Sequence, residues 1–211
     1  MKQIIYISLG ILFVLPANYS FAQKNELAAY QSYFDTELKG WTKSFTVFKL
    51  STFKRTDSPA FEDINFDDTT NIQDFYSVYK PALTFSTDKK QFIDIYSYSM
   101  NLEKIGKKIY YGGGDPEQAI TLCDLRANKW TRILFCGFNQ WIDDAIWVSK
   151  TQFILVGARD NDTGKWQPVI YLGDMIQRSF KEFHSTDKNS HQKNREYKSP
   201  KLLRLKISPH S

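Results

Sequence analysis

Thr151-Gln152-Phe153-Ile154-Leu155-Val156 restates, at an offset of 61, the run Lys90-Gln91-Phe92-Ile93-Asp94-Ile95. An aromatic-containing run precedes each copy, Leu83-Thr84-Phe85-Ser86 in the first and Ile146-Trp147-Val148-Ser149 in the second. A nearly continuous apolar stretch such as Phe153 to Val156 marks a strand covered on both faces. Two further strand-like runs follow each copy. The first pair is Ala119 to Leu125 and Trp130 to Cys136, around the turn Arg126-Ala127-Asn128-Lys129. The second is Val169 to Asp174 and Arg178 to Phe183, around Met175 to Gln177. Here the offset is about 50, because the first copy carries a longer connection through Lys104 to Pro116. The spacing predicts two repeats of four short strands, over about residues 81–137 and 141–183.

The turn that opens the first repeat reads Phe85-Ser86-Thr87-Asp88-Lys89-Lys90. With four antiparallel strands per unit, it resembles a β-propeller blade of the WD40 or TolB type. Those families join their first two strands with Ser-Pro-Asp-Gly-Lys; here Thr87 replaces the proline and Lys89 the glycine. The second copy shortens the turn to Ser149-Lys150-Thr151 and lacks the aspartate. The resemblance covers about residues 81–183 and implies blade-like sheets. Two blades cannot close a propeller, which takes four or more. The expected fold is therefore mainly β: two blade-like four-stranded antiparallel sheets, as an incomplete propeller or a β-sandwich, with one N-terminal helix.

That helix is expected over Lys24 to Leu38, where Leu27, Tyr30, Phe34 and Leu38 share one face and Gly40 punctuates the end. Phe45 to Leu50 reads as a strand, Thr56 to Gln73 as an acidic loop, and Pro81 as a strand boundary. Residues 23–183 thus form a single β-rich domain.

The two ends of the chain carry a different signal. Lys2, the apolar run Ile4 to Leu15, and Ser20-Phe21-Ala22 have the order of a secretory signal peptide, with cleavage after Ala22. The segment resembles bacterial signal peptides, particularly those of the Bacteroidetes that end in Ala-Gln. An apolar run this short falls below the ~20 residues a spanning helix needs, so no transmembrane segment is expected after cleavage. Periplasmic or secreted localisation follows. Residues 184–211 hold seven Lys and Arg against Asp187 and Glu196, a net of +5 that accounts for the whole formal charge of the chain. The body is therefore neutral, and no basic face for nucleic acid is implied. The tail reads as a solvated, largely flexible segment, or as one touching an anionic surface. Leu202, Leu203, Leu205 and Ile207 could add a last strand.

Composition excludes several classes. With 42% hydrophobic and 24% charged residues the chain is neither disordered throughout nor a polytopic membrane protein. Its three histidines, His184, His191 and His210, all fall in the polar tail, so the body lacks the commonest neutral-pH base and the imidazole ligands of zinc. No metal or other cofactor is implied. Gly112-Gly113-Gly114-Asp115 has no following Lys-Ser/Thr for phosphate and reads as a loop between strands. A turn centred between Ala127 and Asn128 sets Cys123 opposite Arg132 and Cys136 opposite Ala119, which misaligns the sulfurs; a shifted turn would align them. A Cys123–Cys136 disulfide and two buried thiols are both open readings.

Carboxylate pairs are the remaining catalytic route: Asp143 with Asp144, Asp115 with Glu117, and Asp160 with Asp162. Trp141 and Trp166 flank predicted turns and are the aromatics placed to stack on a sugar or anchor a protein. The candidate ligand-binding residues are Trp141, Trp166, Asp143, Asp144 and Asp115. The expected function is an exported, non-catalytic binding protein that presents loops to a protein or glycan partner. The alternative is a carboxylate-dependent glycan-processing enzyme.

Overall fold

A computed structural model of the chain describes residues 25–66, 71–193 and 197–208. The signal-peptide residues lie outside this set. Thirteen strands follow in chain order: β1 (Phe53–Asp57), β2 (Ile64–Phe66), β3 (Thr84–Phe85), β4 (Gln91–Asp94), β5 (Asn101–Ile105), β6 (Lys108–Gly113), β7 (Gln118–Asp124), β8 (Lys129–Cys136), β9 (Gln140–Trp147), β10 (Gln152–Asp160), β11 (Trp166–Asp174), β12 (Ser179–Ser185) and β13 (Ile207–Ser208). They form two five-stranded sheets, ordered β2-β8-β7-β4-β3 and β1-β12-β11-β10-β9, and a three-stranded sheet ordered β13-β6-β5. The fold is mainly β, open and sandwich-like.

The sheets differ in number and width from the two four-stranded sheets expected. Each gains an outer strand: β1, which ends just inside the stretch read as an acidic loop, joins β12, and β2, from within that stretch, joins β8, both antiparallel. The long connection through Lys104 to Pro116 folds on itself as the β5–β6 hairpin, which β13 joins in parallel.

The apolar run that decides the reading behaves as its composition demands. Along β10, Phe153 and Leu155 enter the core between the two large sheets, while Ile154, Val156 and Ala158 face the opposite core. The inter-sheet core joins these to Ile93, Ile120 and Ile133 of one sheet and Val169, Tyr171 and Phe180 of the other. Gly173 is required here: a Cβ would sit 2.2 Å from the Phe153 ring. The outer face of the C-terminal sheet is covered by the N-terminal segment, through Leu27, Phe34, Leu38 and Trp41. The outer face of the other sheet is covered by a helix over Ile72–Tyr79, whose Phe75 packs with Phe92 and Trp130. Truncating a fully buried Phe such as Phe153 would cost about 3–5 kcal/mol.

The single expected helix is broken into a 3-10 turn at Glu26–Tyr30, α1 (Gln31–Asp35) and α2 (Lys39–Lys43). Thr36 leaves helical space at φ −117°, ψ −90°, and its hydroxyl donates to the Ser32 carbonyl 2.7 Å away. That local bond competes with the helical ladder. Gly40 consequently lies inside α2 and not past a helix end. Phe45 to Leu50 forms no strand; Phe45 makes one isolated bridge to Gln192, and strand structure begins at Phe53.

Among the described residues of the segment read as a flexible tail, several are anchored in the body. Ser190 and Ser199 are each 1% exposed, and Leu205 is 3% exposed. Ser190 donates to the Val47 carbonyl, and the Ser199 and Tyr96 hydroxyls lie 2.6 Å apart. Pro200–Leu203 turn as a short helix, so Leu202 and Leu203 do not join the final strand. Small hydroxyl residues carry this docking, which is why a count of polar side chains misreads it.

Cys123 and Cys136 are buried thiols with no disulfide between them. Asp124 pairs with Lys129, so the turn is shifted by one residue from the one expected, and with a bulge between Ile120 and Thr121 the ladder sets Cys123 opposite Trp130 and Cys136 opposite Gln118. At roughly 3.3 Å per strand residue, the six positions from Trp130 to Cys136 separate the two by about 20 Å. No helix among the described residues is long and apolar enough to cross a membrane.

Candidate functional site

The adjacent acids Asp143 and Asp144 sit in a β-bulge. In the β9–β10 ladder Val156 pairs with Asp144 and Gly157 with Ile142, so Asp143 is the extra residue. Such an insertion breaks the two-residue alternation and re-aims the side chains beside it. Gly157 makes the bulge possible, since a Cβ there would lie 2.0 Å from the Trp141 carbonyl oxygen. Ile142 and Ala145 remain in the inter-sheet core. Asp143 meets side chains of both the N-terminal and C-terminal segments, and Asp144 meets side chains of the C-terminal segment.

Asp143 Oδ2 accepts from Trp41 Nε1 at 3.1 Å and from Gln192 Nε2 at 3.2 Å. Asp144 is 1% exposed and accepts from Lys201 Nζ at 2.6 Å, from the Ala145 amide at 2.8 Å and from the Tyr197 hydroxyl at 3.4 Å. The Tyr197 hydroxyl is pushed well above the usual tyrosine range by burial and then by the two carboxylates. Burial and Asp144 likewise raise Tyr96. Both phenols therefore act as neutral donors near these acids.

Outside this anchor lies a cleft of about 440 Å³ lined by Trp141, Asp143, Ala158, Trp166, Gln192 and Tyr197. Three residues singled out in the sequence, Trp141, Trp166 and Asp143, are thus brought to one place. Trp166 is only 9% exposed, because its ring joins the core under the N-terminal segment, whereas Trp141 is half-buried. Asp144 is engaged behind the cleft with Lys201 and is absent from its lining. Asp115 lies elsewhere, in the exposed β6–β7 connection, where its carboxylate accepts from the Glu117 amide at 2.9 Å. Asp160 orders the turn after β10 by accepting from the Gly164 amide at 3.0 Å.

A second polar cluster escaped the sequence reading. His184 is a β12 residue, paired with Val169 and Lys54, and so belongs to the folded body. Its Nε2 lies 2.5 Å from Glu182 Oε1, and Arg159 approaches the same carboxylate oxygen at 3.7 Å. Burial alone would raise Glu182, but hydrogen bonding and charge from His184, with help from Tyr171 and Arg159, hold it below the usual glutamate range. Inward from this carboxylate, Gln140 donates to the Tyr171 hydroxyl at 2.9 Å and contacts Cys136 Sγ at 3.3 Å. Burial pushes the Cys136 thiol up to about 12, so it is an inert core group and not a nucleophile. His184 and Arg159 open onto a polar pocket of about 230 Å³ shared with Asn139, Asp160, Asn161 and Gln167. The detectable signal was the i, i+2 spacing of Glu182 and His184, which places both on one face of a strand.

Among the described residues no three His, Cys, Asp or Glu side chains gather as metal ligands. No family model, curated protein or solved structure matches the chain.

Proposed function

We propose that the chain is an exported, non-catalytic binding protein that seats a sugar unit of a glycan partner in the Trp141–Trp166 cleft. The observation that carries this reading is the composition of the cleft wall: three aromatic rings beside a carboxylate and a carboxamide. Aromatic faces offer large apolar contact at low entropic cost, and fixed polar groups set orientation. Asp143 is oriented by Trp41 and Gln192, as a positioning group needs. The neighbouring acid is withdrawn to Lys201, which argues against an acid/base couple acting across the cleft.

The sheets fit a finer reading as two blade-like units. In one, Asp124 accepts from the Arg126 and Ala127 amides and Gln91 reaches Asp124; in the other, Asp174 accepts from the Ile176 and Gln177 amides and Gln152 reaches Asp174. Asn128 and Arg178 take positive φ at matching places in these turns, and Lys89 does so where blade turns carry glycine. Export is supported by the order of charge, apolar run and small residues through Ala22.

Binding of the chain lacking residues 1–22 to a glycan array, followed by calorimetry on the hits, tests the function. Saccharide binding that is lost in Trp141→Ala while the fold is kept is the expected result. Hydrolysis of a bound glycan, abolished by Asp143→Asn, would replace this reading with the glycan-processing one.

A further inference from the structure

The aromatic cleft and the polar pocket occupy opposite faces of one sheet end. Each of two neighbouring strands gives consecutive residues to the two hollows. Ala158 lines the cleft and Arg159 the pocket; Trp166 lines the cleft and Gln167 the pocket. This follows from strand alternation, which turns successive side chains to opposite sides. Their mouths are therefore separated by one sheet, and the turn between β8 and β9 stands at its rim.

That turn is pinned. Gln140 donates its amide to the Gly137 carbonyl at 3.0 Å, and the Asp160 amide donates to Asn139 at 2.8 Å. At its tip Phe138 is 79% exposed, the most exposed large hydrophobic side chain among the described residues. Asn139 beside it lines the polar pocket, and Trp141 two residues further lines the cleft. A rigid turn thus holds an apolar ring in water between an aromatic hollow and one rich in amides and charges.

We propose that these features form one extended recognition rim for an oligosaccharide, deepening the glycan-binding reading on which it rests. One unit stacks in the cleft, the chain crosses Phe138, and a further unit exchanges hydroxyl hydrogen bonds with Asn139, Gln167 and Arg159. The polar pocket suits hydroxyl-rich groups because its side chains include both donors and acceptors.

Calorimetry with mono- to hexasaccharides of the malto-, cello- and chito- series tests the rim. Affinity is expected to rise with chain length. Phe138→Ala and Gln167→Ala are expected to weaken the longest ligand about tenfold each and leave the shortest unchanged. Trp141→Ala is expected to weaken every length. Binding that is independent of length, or that Phe138→Ala leaves intact on the hexasaccharide, overturns the rim while sparing the cleft. Failure of every saccharide to bind overturns both.

Discussion

Removing the Lys201 ammonium should loosen the C-terminal segment from the body. Asp144 is buried, with 2% of its side chain exposed against 18% for Lys201. Breaking a buried pair from one side costs about 3–5 kcal/mol, because the remaining charge is stranded. The Ala145 amide and Tyr197 hydroxyl still serve Asp144 in Lys201→Ala, which places the loss near the lower bound, at about 3 kcal/mol. For a chain of this size, about 2–4 °C per kcal/mol gives a Tm drop of about 6–12 °C. Urea unfolding of the wild type, Lys201→Ala, Asp144→Ala and the double variant would measure both the loss and the coupling. A coupling of about 2 kcal/mol is expected from residues in direct contact. If Lys201→Ala lies within about 1 kcal/mol of the wild type, the pair behaves as a surface ion pair and the anchoring argument is wrong.

Gly157→Ala should destabilise by about 1–3 kcal/mol in urea and weaken ligand binding, since the new Cβ meets backbone at the bulge; unchanged stability would mean the bulge is not fixed by Gly157. A thiol reagent should leave both cysteines unlabelled in the native protein, label both after unfolding, and find a Tm indifferent to reductant, because Cys123 and Cys136 are 0% and 2% exposed. Glu182 has a folded-state pKa below its unfolded value, so its contribution is present above the usual glutamate range and is lost as pH falls through the folded value. The stability difference between wild type and Glu182→Gln should accordingly shrink on acidification; a difference that grows under acid would reverse the assigned sign.

The parts of this fold that could be read from the chain are those governed by local pattern. Phe153 to Val156 declared a strand buried on both faces because a short apolar run that follows a turn and carries the β-branched Ile154 and Val156 suits a covered strand better than a helix. Trp141 and Trp166 could be nominated because they flank turns. The Asp143–Asp144 bulge could not be read from its own strand, since strict alternation sends the two acids to opposite faces. Its cause lies across the ladder at Gly157, and a lone glycine within an apolar strand was the available hint. The C-terminal segment was misread for a related reason. Ser190 and Ser199 look solvated in composition, yet their burial depends on Val47 and Tyr96, partners distant in sequence. Helix breakage at Thr36 turns on one hydroxyl finding Ser32, which periodicity does not encode.

The N-terminal strands β1 and β2 act as a clasp across the outer edges of both large sheets, with Phe61 and Glu62 between them bonded to the Arg178 and Ile133 backbones. This clasp is made early in synthesis and satisfied late: the Thr52 hydroxyl finds Ser185 across 133 residues of chain. Contacts of that span must absorb loop-closure entropy before they return any stabilisation, which slows folding. A nascent chain stopped short of β12 would carry an orphaned edge strand with nothing to pair it. The sheet ordered β1-β12-β11-β10-β9 is thus completed only when nearly all of the chain has been made, whereas every strand of the other large sheet lies before Gly137.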